Sequence, residues 1–304
     1  MPQPSTGTLL FVGCATLDSI ALVQDYPAED SRTVASDFAT AGGGPAATAA
    51  VAAARAGAST AFAGVLGTDE EGERIILGLQ AEGVDTSAVI RDSSVKTGAS
   101  VIVVSQATES RAIVTRPVPP VSFPAGSRFH ELLASAAWVH VDHLGWNAVA
   151  SAPGFTPGRL NISVDAGNPI PSFSPQDVAL YVPTIERLRA DYGGDHSAGD
   201  LLRKAIDDGA SAVVATAGSD GAWVLERDRE LVHVPATPAT IVSTLGAGDV
   251  YHGALLAAVA AGLPLVEAAA FAGRTASASC AGLDGRSAIP RQTIKPVLAS
   301  NLPS

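Results

Sequence analysis

Short apolar runs alternate along this chain with stretches long enough for helices. Thr8-Leu-Leu-Phe-Val-Gly13 is the first, and residues 60–66, Trp138–Val141, 161–165 and Ala212–Thr216 follow. A strand that is apolar on both faces must be covered on both, and parallel strands joined by crossover helices satisfy that demand. The alternation therefore predicts an α/β fold, a parallel-stranded sheet with helices on both faces. Gly44-Pro45 opens an Ala-rich helix over 46–56, closed by Gly57, with Pro in the first turn where a missing N–H costs nothing. Residues 70–82 put Ile75, Ile76 and Leu79 on one face of an amphipathic helix ending at Gly83. Residues 200–208 and the segment after Gly248 read as further helices, and 221–226 and 230–235 as further strands.

Two regions do not suit a fully buried sheet. Residues 18–44 mix polar and apolar types, with partial alternation over 33–40, and 98–105 and 111–116 flank a polar tip as a hairpin would. The expectation is one α/β domain over 1–304, with a small β-sheet lid formed by insertions at about 18–44 and 96–118. Apolar residues make up 47% of the 304 and charged residues 16%, enough for a large core. The formal charge, 19 − 30 = −11, argues against nucleic acid or an anionic membrane surface as partner. Cys14 and Cys280 are too few for a disulfide framework or a thiolate zinc site. The first eight residues lack a basic leader, and the apolar stretch 254–261 is too short to span a bilayer. A cytoplasmic protein with reduced thiols is expected.

The segment Ile241-Val-Ser-Thr-Leu-Gly-Ala-Gly-Asp-Val-Tyr-His-Gly253 carries the chemistry. Gly246 and Gly248 permit a tight turn that exposes successive N–H groups, and a helix starting there favours a bound anion, typically a phosphate. Asp249 would repel that phosphate unless it served as a base for a substrate hydroxyl beside it. As a plain helix cap it would need no such purpose, and the motif alone leaves both readings open.

Its context resembles the ribokinase-like, or PfkB, carbohydrate kinases. Ser243-Thr244-Leu245-Gly246-Ala247-Gly248-Asp249 is similar to their second signature. Gly42-Gly43-Gly44, followed by Gly57, Gly64, Gly67, Asp69 and Gly72, is similar to their first. Gly13 with Asp18, Thr97-Gly98, Thr216 to Gly221 and the tail 282–290 fall in the same order, so the likeness runs from about residue 8 to 292. The resemblance implies transfer of the ATP γ-phosphate to a sugar hydroxyl with Mg²⁺. It implies Asp249 as base, and Gly246, Ala247 and Gly248 as anion hole. Thr216, Gly218, Ser219 and Gly221 would lie along the nucleotide, and Asp18, Gly42 and Gly43 at the sugar. The wording around Gly42–Ala47 and Asp249–Ala254 is similar to the branch holding ketohexokinase and bacterial sulfofructose kinase. An anionic sugar would need a cationic clamp, for which Arg32 and Arg116 in the lid are candidates, solvated surface arginines being the other reading. A homodimer through the lid would cover its edges and apolar face.

Three positions depart from the family pattern. Ser243 stands where many relatives have an Asp that helps bind a monovalent cation, so potassium dependence is not implied. Ala46-Ala47-Thr48 replaces a stretch that often holds Asn. The Asn-x-x-Glu motif tied to Mg²⁺ is degraded around 181–187, leaving Glu186 as the nearby carboxylate. A dinucleotide fold is excluded because 36–41, ahead of Gly42-x-Gly44-x-x-Ala47, is too polar for a buried strand. Gly-x-Ser-x-Gly and Gly-Lys-Ser/Thr are absent. A metal site from His140, Asp142 and His143 is disfavoured, since strand alternation turns His143 away. A kinase-fold sensor without turnover remains the rival from another class.

Overall fold

The computed structural model describes residues 7–153, 155–156 and 158–294; most of the N-terminal stretch read above for a leader lies outside them. In chain order the first half contains β1 (Leu9–Val12), β2 (Thr16–Val23), β3 (Asp37–Gly43), α1 (Pro45–Arg55), β4 (Thr60–Ala63) and β5 (Val65–Gly67). Then come α2 (Glu70–Ala81), β6 (Ile90–Asp92), β7 (Ala99–Ser105), β8 (Ser110–Arg116) and α3 (Arg128–Ser135). The second half holds β9 (Trp138–Val141), α4 (Trp146–Ala150), β10 (Ile162–Ala166), β11 (Leu180–Pro183), α5 (Ile185–Tyr192) and α6 (Ala198–Asp207). It closes with β12 (Ala212–Thr216), β13 (Ala222–Glu226), β14 (Val232–Val234), α7 (Ala247–Ala260) and α8 (Leu265–Ser279).

The main sheet runs β14-β13-β12-β11-β10-β9-β1-β4. Its strands from β4 to β12 are parallel, whereas β13 and β14 are antiparallel. The reason is local: β12 and β13 are joined by one short Gly-Ser-Asp turn, too short for a crossover helix. Alternate side chains serve opposite faces. Leu9 and Phe11 join Phe62 and Trp138 in a core under α1, α7 and α8, while Leu10 and Val12 join Val139 and Val141 in a second core under α3, α5 and α6.

The strand expected over 60–66 divides at Gly64, where any Cβ would lie 2.6 Å from the Gly13 carbonyl. Only its first half enters the main sheet; β5 leaves to pair with β6. The strand expected over 33–40 instead begins at Asp37 and runs to Gly43. Helix α8 escaped a sequence reading because its Ala-rich faces carry little polar contrast.

The insertions form a separate four-stranded sheet, β3-β2-β7-β8. Ile20, Leu22, Ile102 and Val104 point inward and pack with Leu283 and Leu245. The outer face leaves Phe38, Val101 and Val114 exposed, at 74%, 59% and 73%. Helices α1 and α7 lie backbone to backbone, since a Cβ on Gly253 would run into the Ala49 carbonyl. That contact holds the start of α1, which follows Gly42–Gly44, in a fixed position beside the start of α7.

Candidate active site

Gly246 takes φ 70°, the left-handed conformation that glycine adopts without penalty, and caps α7. No side chain caps this helix. Its first residues, Ala247 and Gly248, line a cavity of about 720 Å³. The four residues expected along a nucleotide, Thr216, Gly218, Ser219 and Gly221, line the same cavity. So does Glu186, the acidic side chain among its described lining residues, exposed in the first turn of α5. One carboxylate on the wall of this cavity suits Mg²⁺, a hard cation that keeps several waters. Sequence reading missed the wall formed by residues 235–239 with Tyr251 and Ala276.

Asp249 is half-buried in the first turn of α7. Burial pushes its carboxyl well above the ordinary value, the nearby Asp165 and Asp142 push it further, and Arg286 and Arg111 oppose the shift. Asp18 is buried, and burial raises its carboxyl against hydrogen bonds from Thr16 and Ser100 and the charge of Arg286. Its Oδ1 has no hydrogen-bond partner. A buried acceptor left unmade costs about 1–3 kcal/mol, so this oxygen has an unfilled place for a donor. Gly43 exists for Asp18: a Cβ there would collide with Asp18 Oδ2 and stand 2.8 Å from Thr16 Oγ1. At Gly42 a Cβ would collide with the Arg286 guanidinium.

Arg286 is the residue the sequence did not announce. It donates from Nε to Thr48 Oγ1 at 3.1 Å and from Nη2 to the Gly43 carbonyl at 2.9 Å. Burial pushes its guanidinium down to about 10, with Asp18 and then Asp249 opposing, so it remains a cation whose charge both carboxyls feel. Its partners lie more than 230 positions away in sequence, which is why no local pattern marked it. Thr48 thus has a role in the stretch where relatives often carry Asn.

The two lid arginines singled out from sequence are not gathered into the site. Arg116 pairs with Glu71 at 2.9 Å and donates to the Thr97 carbonyl, so its charge is already engaged. Arg32 is exposed on the loop between β2 and β3. Arg111, on β8, donates to Thr244 Oγ1 at 3.0 Å, beside the Gly246 turn. Ser243 accepts from the Leu245 amide through Oγ, so its hydroxyl braces its own loop and supplies no charge for a cation.

Asp142 parts company with His140, while half-buried His143 still bears on its charge. Its carboxylate accepts from the amides of Cys14 at 2.8 Å, Ala46 at 3.3 Å, and Leu144 and Gly145 at 2.9 Å. It ties β1, β9 and α1 together and is spent on backbone. The grouping found instead is His140, Asp165 and His252, which no sequence spacing suggested. Burial, then the neighbouring His252, pushes the His140 imidazole down to about 3, and burial lowers His252 as well, so both rings are neutral near pH 7.

Three comparisons bear on this geometry. The model of the family described as pfkB family carbohydrate kinase matches residues 7–145 and 180–291. Ketohexokinase of Mus musculus is 28% identical over 306 residues, covering 91% of this chain and 97% of that protein. Fructokinase of Rhizobium leguminosarum bv. trifolii is 28% identical over 268 residues, covering 79% and 77%. The ribokinase of Arabidopsis thaliana, solved with ribose and ATP, shares the fold at a TM-score of 0.78 and 22% identity, over 95% of this chain and 96% of that one. With the family model matching more than two thirds of the sequence, the chain belongs to the pfkB family and is a carbohydrate kinase, a phosphotransferase whose acceptor is a sugar hydroxyl.

Proposed function

We propose that this kinase moves the γ-phosphoryl group of ATP to a hydroxyl of a neutral, ketose-like monosaccharide. The sugar oxygen attacks the γ-phosphorus, the bond from that phosphorus to the β,γ-bridging oxygen breaks, and the hydroxyl proton passes to Asp249. The observation that carries the reading is the position of Asp249: it follows the left-handed Gly246 turn in the first turn of α7, and the charge of Arg286 acts on both it and Asp18. The amides of Gly246, Ala247 and Gly248 serve as the anion hole, and preorganised donors of this kind are worth roughly 3–4 kcal/mol. Thr216, Gly218, Ser219 and Gly221 border the nucleotide, and Asp18 orients the sugar. Mg²⁺, with Glu186 as its protein carboxylate, neutralises phosphate charge when bound. The small sheet acts as a lid that excludes water competing for the phosphoryl group.

A neutral sugar is favoured over a sulfonated or phosphorylated one because Arg116 is engaged by Glu71 and Arg32 lies on an exposed loop. The similarity to a ketohexokinase and a fructokinase supports the ketose class. The decisive experiment is ATP consumption measured over ketoses, aldoses, polyols and anionic sugars. The highest kcat/KM is expected with a neutral ketose. Binding of a sugar without any stimulated ATP turnover would instead favour a sensor.

The same reading includes a dimer through the lid. Phe38, Val101 and Val114 share its outer face, and a cavity of about 550 Å³ separates that face from Glu70 and Arg74 of α2. An apolar sheet face of this kind is a docking surface for a second copy. Light scattering is expected to give the mass of a dimer, falling to that of a monomer in Val114→Glu. A wild-type monomer at all concentrations would refute it.

A further inference from the structure

Outside the cleft chemistry, two buried imidazoles are left with work undone. His140 on β9 is fully buried, and His252 on α7 is 5% exposed. Nε2 of His140 and Nδ1 of His252 have no hydrogen-bond partner. Buried polar nitrogens are rarely left unsatisfied, so each orphan needs an explanation. The two rings face each other at a centroid distance of 5.6 Å, with Asp165 Oδ1 3.3 Å from His252 Nε2.

We propose that His140, Asp165 and His252 form a binding site for a divalent transition-metal ion of the zinc or cobalt type, distinct from the Mg²⁺ that accompanies the nucleotide. One ligand atom from each residue lies within 4.8 Å of the other two. Bonds of about 2.1 Å in tetrahedral geometry place ligand atoms roughly 3.4 Å apart, so ring rotations of an ångström or so complete the set. Two imidazoles and one carboxylate suit zinc and its neighbours and not magnesium, which takes an all-oxygen shell. The outer contacts agree. His140 Nδ1 is 3.1 Å from Ser163 Oγ, the second contact that orients a ligating imidazole and leaves Nε2 free for an ion. Asp165 also accepts from the Gly167 amide at 2.8 Å, which fixes its carboxylate.

Charge points the same way. Asp142, Asp165 and Asp249 all bear on the buried thiol of Cys14, and all three are anionic when ionised. Asp142 is held by four backbone amides, whereas Asp165 accepts from one, that of Gly167, and lies 3.3 Å from His252 Nε2, which leaves it open to a cation. Asp165 is 7% exposed and His252 5%, whereas His140 is fully buried.

The test uses the full chain, stripped with EDTA and titrated with Co²⁺ alone. A visible d–d absorption band is expected to saturate near one ion per chain, to be bleached by Zn²⁺ and to survive a large excess of Mg²⁺. Binding should weaken at least tenfold in His252→Asn and His140→Ala, with near-ultraviolet circular dichroism confirming that the variants fold. X-ray absorption of the zinc-loaded wild type, which does not depend on any variant, should show imidazole scattering from two ligands. Absence of the band, displacement by Mg²⁺, undiminished binding in the folded histidine variants, or an oxygen-only shell would each overturn the proposal and leave the two nitrogens to a bridging water.

Discussion

Replacing Asp249 with Asn is expected to lower kcat by about 10²–10⁴-fold, the range for loss of a positioned base, while ATP affinity changes little. The same variant is expected to be more stable than the wild type at neutral pH. The two effects share one cause. Burial and the adjacent carboxylates hold the Asp249 proton more tightly in the folded protein than the ordinary value of 3.8. Between 3.8 and its raised folded value the folded state binds more protons than the unfolded, so stability falls as pH rises through that window. Asn removes this penalty, and its advantage should vanish in acid, below the ordinary carboxylate range. The acid limb of kcat/KM should likewise lie above that range, because the base must be ionised to act. Steady-state kinetics across pH, combined with thermal unfolding, checks both. Turnover near wild type would remove Asp249 from the proton transfer, and a lower melting temperature would contradict the electrostatic account.

Gly43→Ala is the second large effect. A single methyl group there occupies the position of Asp18 Oδ2. Asp18 must rotate away, losing its bonds with Thr16 and Ser100, or β3 must withdraw from the Arg286 guanidinium that the Gly43 carbonyl accepts from. Either outcome displaces a group proposed to orient the sugar by about an ångström, a shift that costs on the order of 10² in rate. The expectation is a fall of that size in kcat/KM for sugar, with KM for ATP unchanged, since Thr216 to Gly221 lie in a separate cavity. Unaltered sugar kinetics would show that Asp18 does not meet the substrate.

What could be read in advance was the part encoded locally. The Gly246–Asp249 turn, the residues 216–221 turn and the strand alternation each depend on neighbours in sequence, where backbone constraints and periodicity speak. The lid strands were legible because their apolar residues alternate, and β2 and β7 do show that alternation in burial. What escaped depends on distant partners. Arg286 meets Thr48 across 238 positions, and Asp165, His140 and His252 come from two strands and a helix. The two readings of Arg116 stayed open for the same reason, because its partner Glu71 sits on α2, outside the lid segment. Helix α8 and the division at Gly64 were missed because neither alanine-rich faces nor a lone glycine in an apolar run announces its tertiary surroundings.

The contact between Gly253 and Ala49 has a consequence for substrate range. At that crossing no side chain stands between the two helices, so their main chains meet there and the starts of α1 and α7 are held at a set distance. A longer or bulkier sugar cannot be admitted by easing this seam. On the function proposed above its accommodation would fall to the four-stranded sheet, whose few inward residues are where evolution, or an engineer, would act to change what the enzyme accepts.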